Sequence, residues 1–416
     1  MKHRWKKIAV SCLMVLALVA TLGLGCGEDE EEKTTIVIGN MTDLTGVAAP
    51  ALGPMTWALE DAVAEINAGL APGPKLPEGV ELKVVNYDTA FDPSRFIPGY
   101  EWLKEKGAEV IVSVFNDCAE TVKSVAARDK IAILGMATTI PMVEPPEWVF
   151  GFTVPTRWSV KLALQWIGEN WDYEGTGRNP TIATVGWSDA WGMDNERGAR
   201  EYCEAHSDKF DYVDSYMAPV GTVTWSGEVA KTLEVDWVQT AANGAMMPAT
   251  FIKQYKDAGG IGKNFDTESL SAYAGYITDY AGWDYLDEKI NAQVWGWWSL
   301  TEWEEVKYMK DVVYKYHPSE ADDIVHAGMG YLGGGSMQLF ALQIVVTAIN
   351  EVGAENFDGQ AFYDTAVNYT ADWAGSTRGF TADRRYVTDE MIMLRWDAAA
   401  EDLIMISDGW LTVPRE

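Results

Sequence analysis

The sequence predicts an α/β protein of two lobes, each built on a doubly wound parallel sheet. Three observations carry this. Short apolar, β-branched runs alternate with helix-period segments from Thr34 to Thr139. A proline-rich stretch, Pro141 to Pro155, interrupts the series, and a second series of the same kind follows it. Near the C-terminus the order changes to two strand-like runs joined by a short loop, Thr388 to Trp396 and Asp402 to Ser407, which read as an antiparallel hairpin. Strands alternating with helices favour parallel sheets covered on both faces.

The elements follow in order. Thr34 to Asn40 is a β-branched strand, and Met41 to Gly53 a loop. Leu52, Met55, Leu59, Val63 and Ile66 recur every three or four residues, which predicts an amphipathic helix to about Ala68. A Pro/Gly-rich turn precedes the strand Val80 to Tyr87, and a helix starts at Asp92-Pro93-Ser94 and ends near Lys106. Val110, Ile111, Val112 and Val114 form a run suited to a strand buried on both faces. Asn116 and Asp117 end it, and Cys118, Ala119, Val122, Val125 and Ala126 then share one helix face. Asp117 and Glu120 have the spacing of a capping box. Ile131 to Leu134 is the next strand, ending in Gly135-Met136-Ala137-Thr138-Thr139. Two strand ends and a helix start thus converge on one rim, where ligands bind in open α/β sheets. Free N–H groups at the helix start suit a carboxylate.

The second series has helices at Arg157 to Trp171, Trp191 to His206, Trp225 to Leu233 and Met247 to Ala258. Its strands are Thr181 to Trp187, Asp211 to Ala218, Asp236 to Ala241 and Asp266 to Ala272. After about Trp283 come a strand at Asn291 to Trp298, a helix at Glu302 to Tyr316, and a longer helix with Met337, Phe340, Ala341, Ile344, Val345 and Ala348 on one face. The expected division is lobe one from 34–155 plus 283–370, and lobe two from 156–282 plus 371–416.

Ahead of the folded part, residues 1–25 read as a secretory signal. Lys2, Arg4, Lys6 and Lys7 form a basic start, and Ile8 to Gly25 is uncharged and mostly apolar. A retained anchor helix is the alternative. Leu22-Gly23-Leu24-Gly25-Cys26 resembles a bacterial lipobox, with Gly23 where Leu is commonest, so Cys26 is expected to carry lipid and anchor the chain to a membrane. Residues 26–33, acidic from Glu28 to Glu32, read as a tether.

The formal charge of −30 over 416 residues excludes a basic nucleic-acid footprint and broad attraction to anionic lipid. Cys12, Cys26, Cys118 and Cys203 contain no CxxC, and His3, His206, His317 and His326 have no ligand spacing, so no metal or other cofactor is expected. Cys118 and Cys203 are expected as free, buried thiols. Gly328, Gly330 and Gly333 match GxGxxG, but no strand immediately precedes them, so they read as packing or turn glycines. Gly186-Trp187-Ser188-Asp189-Ala190 resembles a nucleophile elbow but ends in Ala without a His near in sequence. No catalytic residue is assigned, and the chain is expected not to be an enzyme. The candidate ligand residues are Thr42, Asp43, Asn116, Asp117, Ala137, Thr138 and Thr139 in lobe one. In lobe two they are Trp187, Trp191, Gly244, Met246 and Tyr273. All follow predicted strand ends.

Several short motifs, in order, resemble the branched-chain amino-acid binding family, the type I solute-binding proteins of ABC transporters. They are Thr42-Asp43-Leu44-Thr45-Gly46, Ala64-Glu65-Ile66-Asn67-Ala68, and Asp88 with Asp92-Pro93. The segment Lys130 to Thr138, Asp189-Ala190-Trp191-Gly192, and Gly379-Phe380-Thr381 with Asp383 and Arg384 follow. The resemblance implies a type I periplasmic binding protein fold: two lobes joined by a three-segment hinge and closing on a small ligand. It implies a monomeric receptor outside the cytoplasm that hands its ligand to a membrane permease, with a sensor feeding a signalling partner as the alternative. In that family a Ser near the third strand end and an Ala-Thr pair after the fourth hold a ligand carboxylate. The matching positions here are Asn116/Asp117, Ala137 and Thr138. Asp in the place of Ser repels an anion, which opens amide-like and aromatic ligands beside an amino acid.

Overall fold

The computed structural model describes residues 33–242, 244, 246–260, 262–267, 273–293, 303–373 and 375–416. The signal segment, Cys26 and the tether up to Glu32 lie outside these, as do the expected strand residues 268–272 and 294–298 and the expected helix start Glu302.

The first sheet has five parallel strands: β1 (Thr34–Thr42), β2 (Val80–Asp88), β3 (Ala108–Ser113), β4 (Ala132–Gly135) and β5 (Val149–Gly151), in the order β2-β1-β3-β4-β5. Its helices are α1 (Ala49–Asn67), α2 (Phe96–Glu105), α3 (Asn116–Asp129) and the single turn α4 (Ile140–Val143). Val110, Ile111 and Val112 are almost fully buried, as a strand covered by helices on both faces requires. The proline-rich crossover contains β5 and α4. Three strand residues between prolines give too little periodicity to read.

The second lobe repeats this winding. It carries α5 (Thr156–Asn170), β6 (Thr181–Trp187), α6 (Ala190–Ala205), β7 (Asp211–Ala218), α7 (Ser226–Thr232), β8 (Trp237–Ala241), α8 (Met246–Asp257), β9 (Lys263–Thr267), α9 (Ala274–Ala281) and β10 (Ile290–Gln293). Strands β7-β6-β8-β9-β10 are parallel and adjacent. Along β6, Ala183, Val185 and Trp187 join the core on one face, while Ile182 and Thr184 point to the other.

The chain then returns to lobe one with α10 (Glu304–Tyr316), α11 (Met329–Val352) and α12 (Gly359–Ala366). α11 is long and apolar enough to cross a membrane by length and composition, but 89% of its apolar window is buried in the protein. It is the core helix against α1. Gly334 faces Met55, and Gly335 faces Met309 and Ala58 with no room for a Cβ. Gly328 ends the preceding turn at φ 135°. Of the GxGxxG match, Gly328 precedes α11 and Gly330 and Gly333 lie within that helix.

A two-stranded ribbon, β11 (Thr370–Trp373) and β12 (Ser376–Gly379), leads to the third crossing. β13 (Glu390–Asp397) and β14 (Asp402–Met405) then add antiparallel strands beyond β10, and β15 (Leu411–Thr412) also pairs with β13. The expected hairpin is present.

The lobe boundaries shift from those expected. β10 belongs to the second sheet, so the return crossing falls after Gln293 rather than near Trp283. Residues 371–387 pack on lobe one: Phe380 meets Phe150 and Phe152 edge-on, Trp373 meets Phe340, and Tyr386 bridges to Gly151. The cause is partner choice between distant segments, which local periodicity does not encode. Cys118 and Cys203 are free and buried.

Candidate functional site

In both sheets the first strand lies between the second and third, so chain direction reverses beside β1/β3 and again beside β6/β8. The crevice outside the carboxyl ends of strands at such a switch point is where open α/β sheets bind ligands. The lobes meet across this crevice through the starts of α3, α4 and α6.

The loop after β1 is fixed by two carboxylates. Asp43 accepts from Thr45, Gly46 and Ala48 backbone N–H groups. Asp88 accepts from Leu44 N–H at 3.0 Å, Thr45 hydroxyl at 2.6 Å and Ala90 N–H at 3.0 Å. The loop after β2, joined to the loop after β1 through Asp88, carries Ala90 and Phe91 in left-handed backbone conformations (φ 51° and 54°). Phe91 stands edge-on to Phe115, 4.6 Å between centroids, beside the start of α3. Thr42 is wholly buried, its hydroxyl 2.8 Å from that of Thr56.

Thr138 is likewise wholly buried, and its hydroxyl accepts from Thr153 N–H at 3.1 Å. Thr139 donates its hydroxyl to Glu120. Asn116 is buried with its amide 3.9 Å from Met142 sulfur. The hydroxyls of Thr42, Thr138 and Thr139 and the carboxylate of Asp43 are thus engaged within the protein, and Ala137 stays partly exposed between them. The capping box at Asp117 and Glu120 is not formed. α3 starts one residue earlier, capped at Phe115 without a side-chain bond, which places Asp117 inside the first turn.

In lobe two, Trp187 is buried and donates to Thr222 carbonyl at 2.9 Å, with its ring against Gly244. Trp191 is 3% exposed, and its indole N–H has no hydrogen-bond partner among the described residues. Met246 is the first residue of α8 and half-buried. Tyr273 precedes α9 and helps line a small recess with Pro50, Pro54, Ile324 and Tyr331 of lobe one. Burial, then the nearby Asp266 carboxylate, raises its hydroxyl above the usual range.

The electrostatics centre on α3 and α6. Asp117 Oδ1 accepts from Ala190 N–H at 3.1 Å, while its Oδ2 is buried without a partner among the described residues. Burial raises the Asp117 carboxyl above its ordinary value against the pull of that bond. Glu120 is raised too, first by burial and then by Asp117 and Asp194. Asp194, Arg157 and Glu120 were not found by sequence reasoning. With Pro141 and Ala190 they line a recess of about 390 Å³ at the cleft edge. Arg157 lies in the first turn of α5 and Asp194 in the second turn of α6, positions any surface residue shares, and Glu120 on α3 carried only its capping-box spacing.

Two lobes of like winding that meet across one crevice define a two-lobed ligand-binding protein. The chain belongs to the periplasmic binding protein family, whose model matches residues 35–401. No curated protein matches it significantly. Solved structures share the fold at low identity. A branched-chain amino acid ABC transporter protein from Thermus thermophilus with bound valine superposes with TM-score 0.78 at 15% identity, covering 91% of this chain and 97% of its own. A fatty acid ABC transporter substrate-binding protein from Thermomonospora curvata gives 0.72 at 18%, covering 90% and 91%. A solute-binding protein from R. palustris in complex with 4-hydroxybenzoate gives 0.72 at 15%, covering 91% and 97%.

Proposed function

We propose that this protein is an extracytoplasmic receptor, lipid-anchored through Cys26, that captures a small organic molecule between its lobes and delivers it to an ABC transporter permease. The observation that carries this is the cleft itself. Two switch-point rims face each other, and the atoms left without partners there are complementary in kind: the Asp117 Oδ2 acceptor and the Trp191 indole donor. Buried polar atoms cost stability unless paired, so a ligand supplying both a donor and an acceptor relieves both.

An α-amino acid meets that requirement, and a neighbour of the same fold binds valine. The ligand class proposed is therefore an amino acid, or a related small acid or amide. Asp117 favours the ammonium end, in contrast to a carboxylate grip at the start of α3. A second reading is an aromatic ligand, supported by Phe91, Phe115, Trp191 and Tyr273 around the rim and by the 4-hydroxybenzoate complex of a neighbour. Sensing for a signalling partner uses the same binding step and differs only in what reads it.

A thermal-shift screen over amino acids, their amides, aromatic acids, fatty acids and polyols tests the reading. A ligand at 100 times its Kd adds about 2.7 kcal/mol, a readily measured rise in Tm. Stabilisation by amino acids or amides is the expected result. Stabilisation by fatty acids or polyols alone would overturn the ligand class, and turnover of a bound compound would overturn the receptor.

A further inference from the structure

Two carboxylates cross the cleft in opposite directions. Asp117, in the first turn of α3, accepts the N–H of Ala190, the first residue of α6 in lobe two. Asp194, in the second turn of α6, accepts the N–H of Ile140, the first residue of α4 in lobe one, at 3.0 Å. The first N–H groups of a helix have no partner within it and carry partial positive charge. Here the local caps leave both unclaimed. Thr139, just before α4, makes no side-chain cap bond, and Asp189 spends its carboxylate on Gly192 N–H at 2.6 Å. Each helix start is therefore completed by an acid from the opposite lobe.

The parts that carry these acids are rigid. Arg157 holds the second oxygen of Asp194 from α5, with its Nε at 2.8 Å. One turn of α6 is fixed by buried Asn195, which donates to Thr156 and Thr267 hydroxyls at 2.7 and 3.0 Å and accepts from Gln239. The partners within each lobe stay together when the lobes separate. Of the carboxylate bonds named here among the described residues, the two that cross are lost on opening.

We infer that Asp117 and Asp194 form a two-point latch that holds the lobes closed before any ligand arrives. They act as positioning residues for capture. A solute enters through the open form, so the latch lowers the observed association rate by the open fraction and slows release from the closed complex. Glu120 sets its limit. Glu120 shares α3 with Asp117 and meets Asp194 only on closing, and the charges of Glu120 and Asp194 oppose further tightening.

The inference stands apart from ligand identity, because it is tested without ligand. Small-angle scattering of the ligand-free protein reads the interlobe opening, with circular dichroism as the check on folding. Asp117→Asn with Asp194→Asn weakens both acceptors. Ala190→Pro removes one donor and leaves both acids in place. Proline is well suited to the first helical position, and Asp189 already has the extended backbone (φ −78°, ψ 168°) that a residue before proline adopts. The expected result is a compact wild type, with a larger radius of gyration in the double variant and a smaller increase in Ala190→Pro. A wild type already open without ligand, or folded variants that scatter like wild type, would overturn the latch. If the double variant fails to fold, Ala190→Pro alone decides.

Discussion

The indole of Trp187 and the carbonyl of Thr222 are joined by a 2.9 Å hydrogen bond, which turns a strand-end tryptophan toward its own lobe. Trp191, four residues on, has a buried N–H without a partner among the described residues. Two tryptophans that look alike in sequence therefore have different duties. Trp187→Phe is expected to destabilise the protein by about 1 kcal/mol, since it removes a part-buried hydrogen bond to the Thr222 carbonyl. Trp191→Phe is expected to leave the melting temperature near wild type and remove most of the fluorescence change on ligand binding. A full fluorescence response in Trp191→Phe would place the ligand elsewhere.

Gly186 sits where β6 passes β8. A Cβ there would collide with the Ala241 backbone carbonyl, which no side-chain movement relieves. Gly186→Ala is expected to cost about 2–4 kcal/mol in chemical denaturation. Gly227→Ala, at a position with open space around it, is the control and is expected to change stability little.

Lys289 lies at 4% exposure against the Tyr285 ring, 3.9 Å from its centroid. Burial lowers its ammonium from an ordinary 10.5 to about 8, with Lys263 adding to the shift. Between those values the unfolded chain holds the proton and the folded chain does not, so the contribution of Lys289 to stability rises with pH across about pH 8 to 10.5. Lys289→Met is expected to abolish that rise and to stabilise the protein at pH 7 by on the order of 2 kcal/mol. Urea titrations of wild type and Lys289→Met at several pH values read both effects, and a stability difference between them that stays constant from pH 8 to 10 would contradict the assignment.

Palmitate labelling is expected to require Cys26. Cys26→Ser should abolish incorporation and release the chain from the membrane fraction, because stable anchoring depends on more than one acyl chain. Labelling that persists in Cys26→Ser would refute lipid attachment there.

Much of the fold is legible in the sequence. Thr181–Trp187 and Asp211–Ala218 fall where the alternation places them, and the buried face of α3 is the one its 3.6-residue period marks. These are local properties, fixed by which neighbours along the chain are apolar. Strand β5 was hidden because it has only three residues inside a run rich in prolines. The site is less legible. Thr42, Thr138 and Thr139 are correctly read as lying at strand ends, yet a hydroxyl at a strand end serves a ligand and a neighbouring residue equally well, and here the neighbours have it.

By itself the sequence determined the alternation of strands and helices, the doubling of that series, and the rims where they end. Only the tertiary structure decided that β10 pairs with β9 in the second lobe, that residues 371–387 lie on the first, and that Asp117 and Asp194 reach across the cleft. The reason is physical. Periodicity records which side of an element avoids water, whereas the partner of a polar group is set by segments that meet only after folding. Asp194 lies 54 residues from the Ile140 N–H it accepts, a separation over which no local pattern carries information.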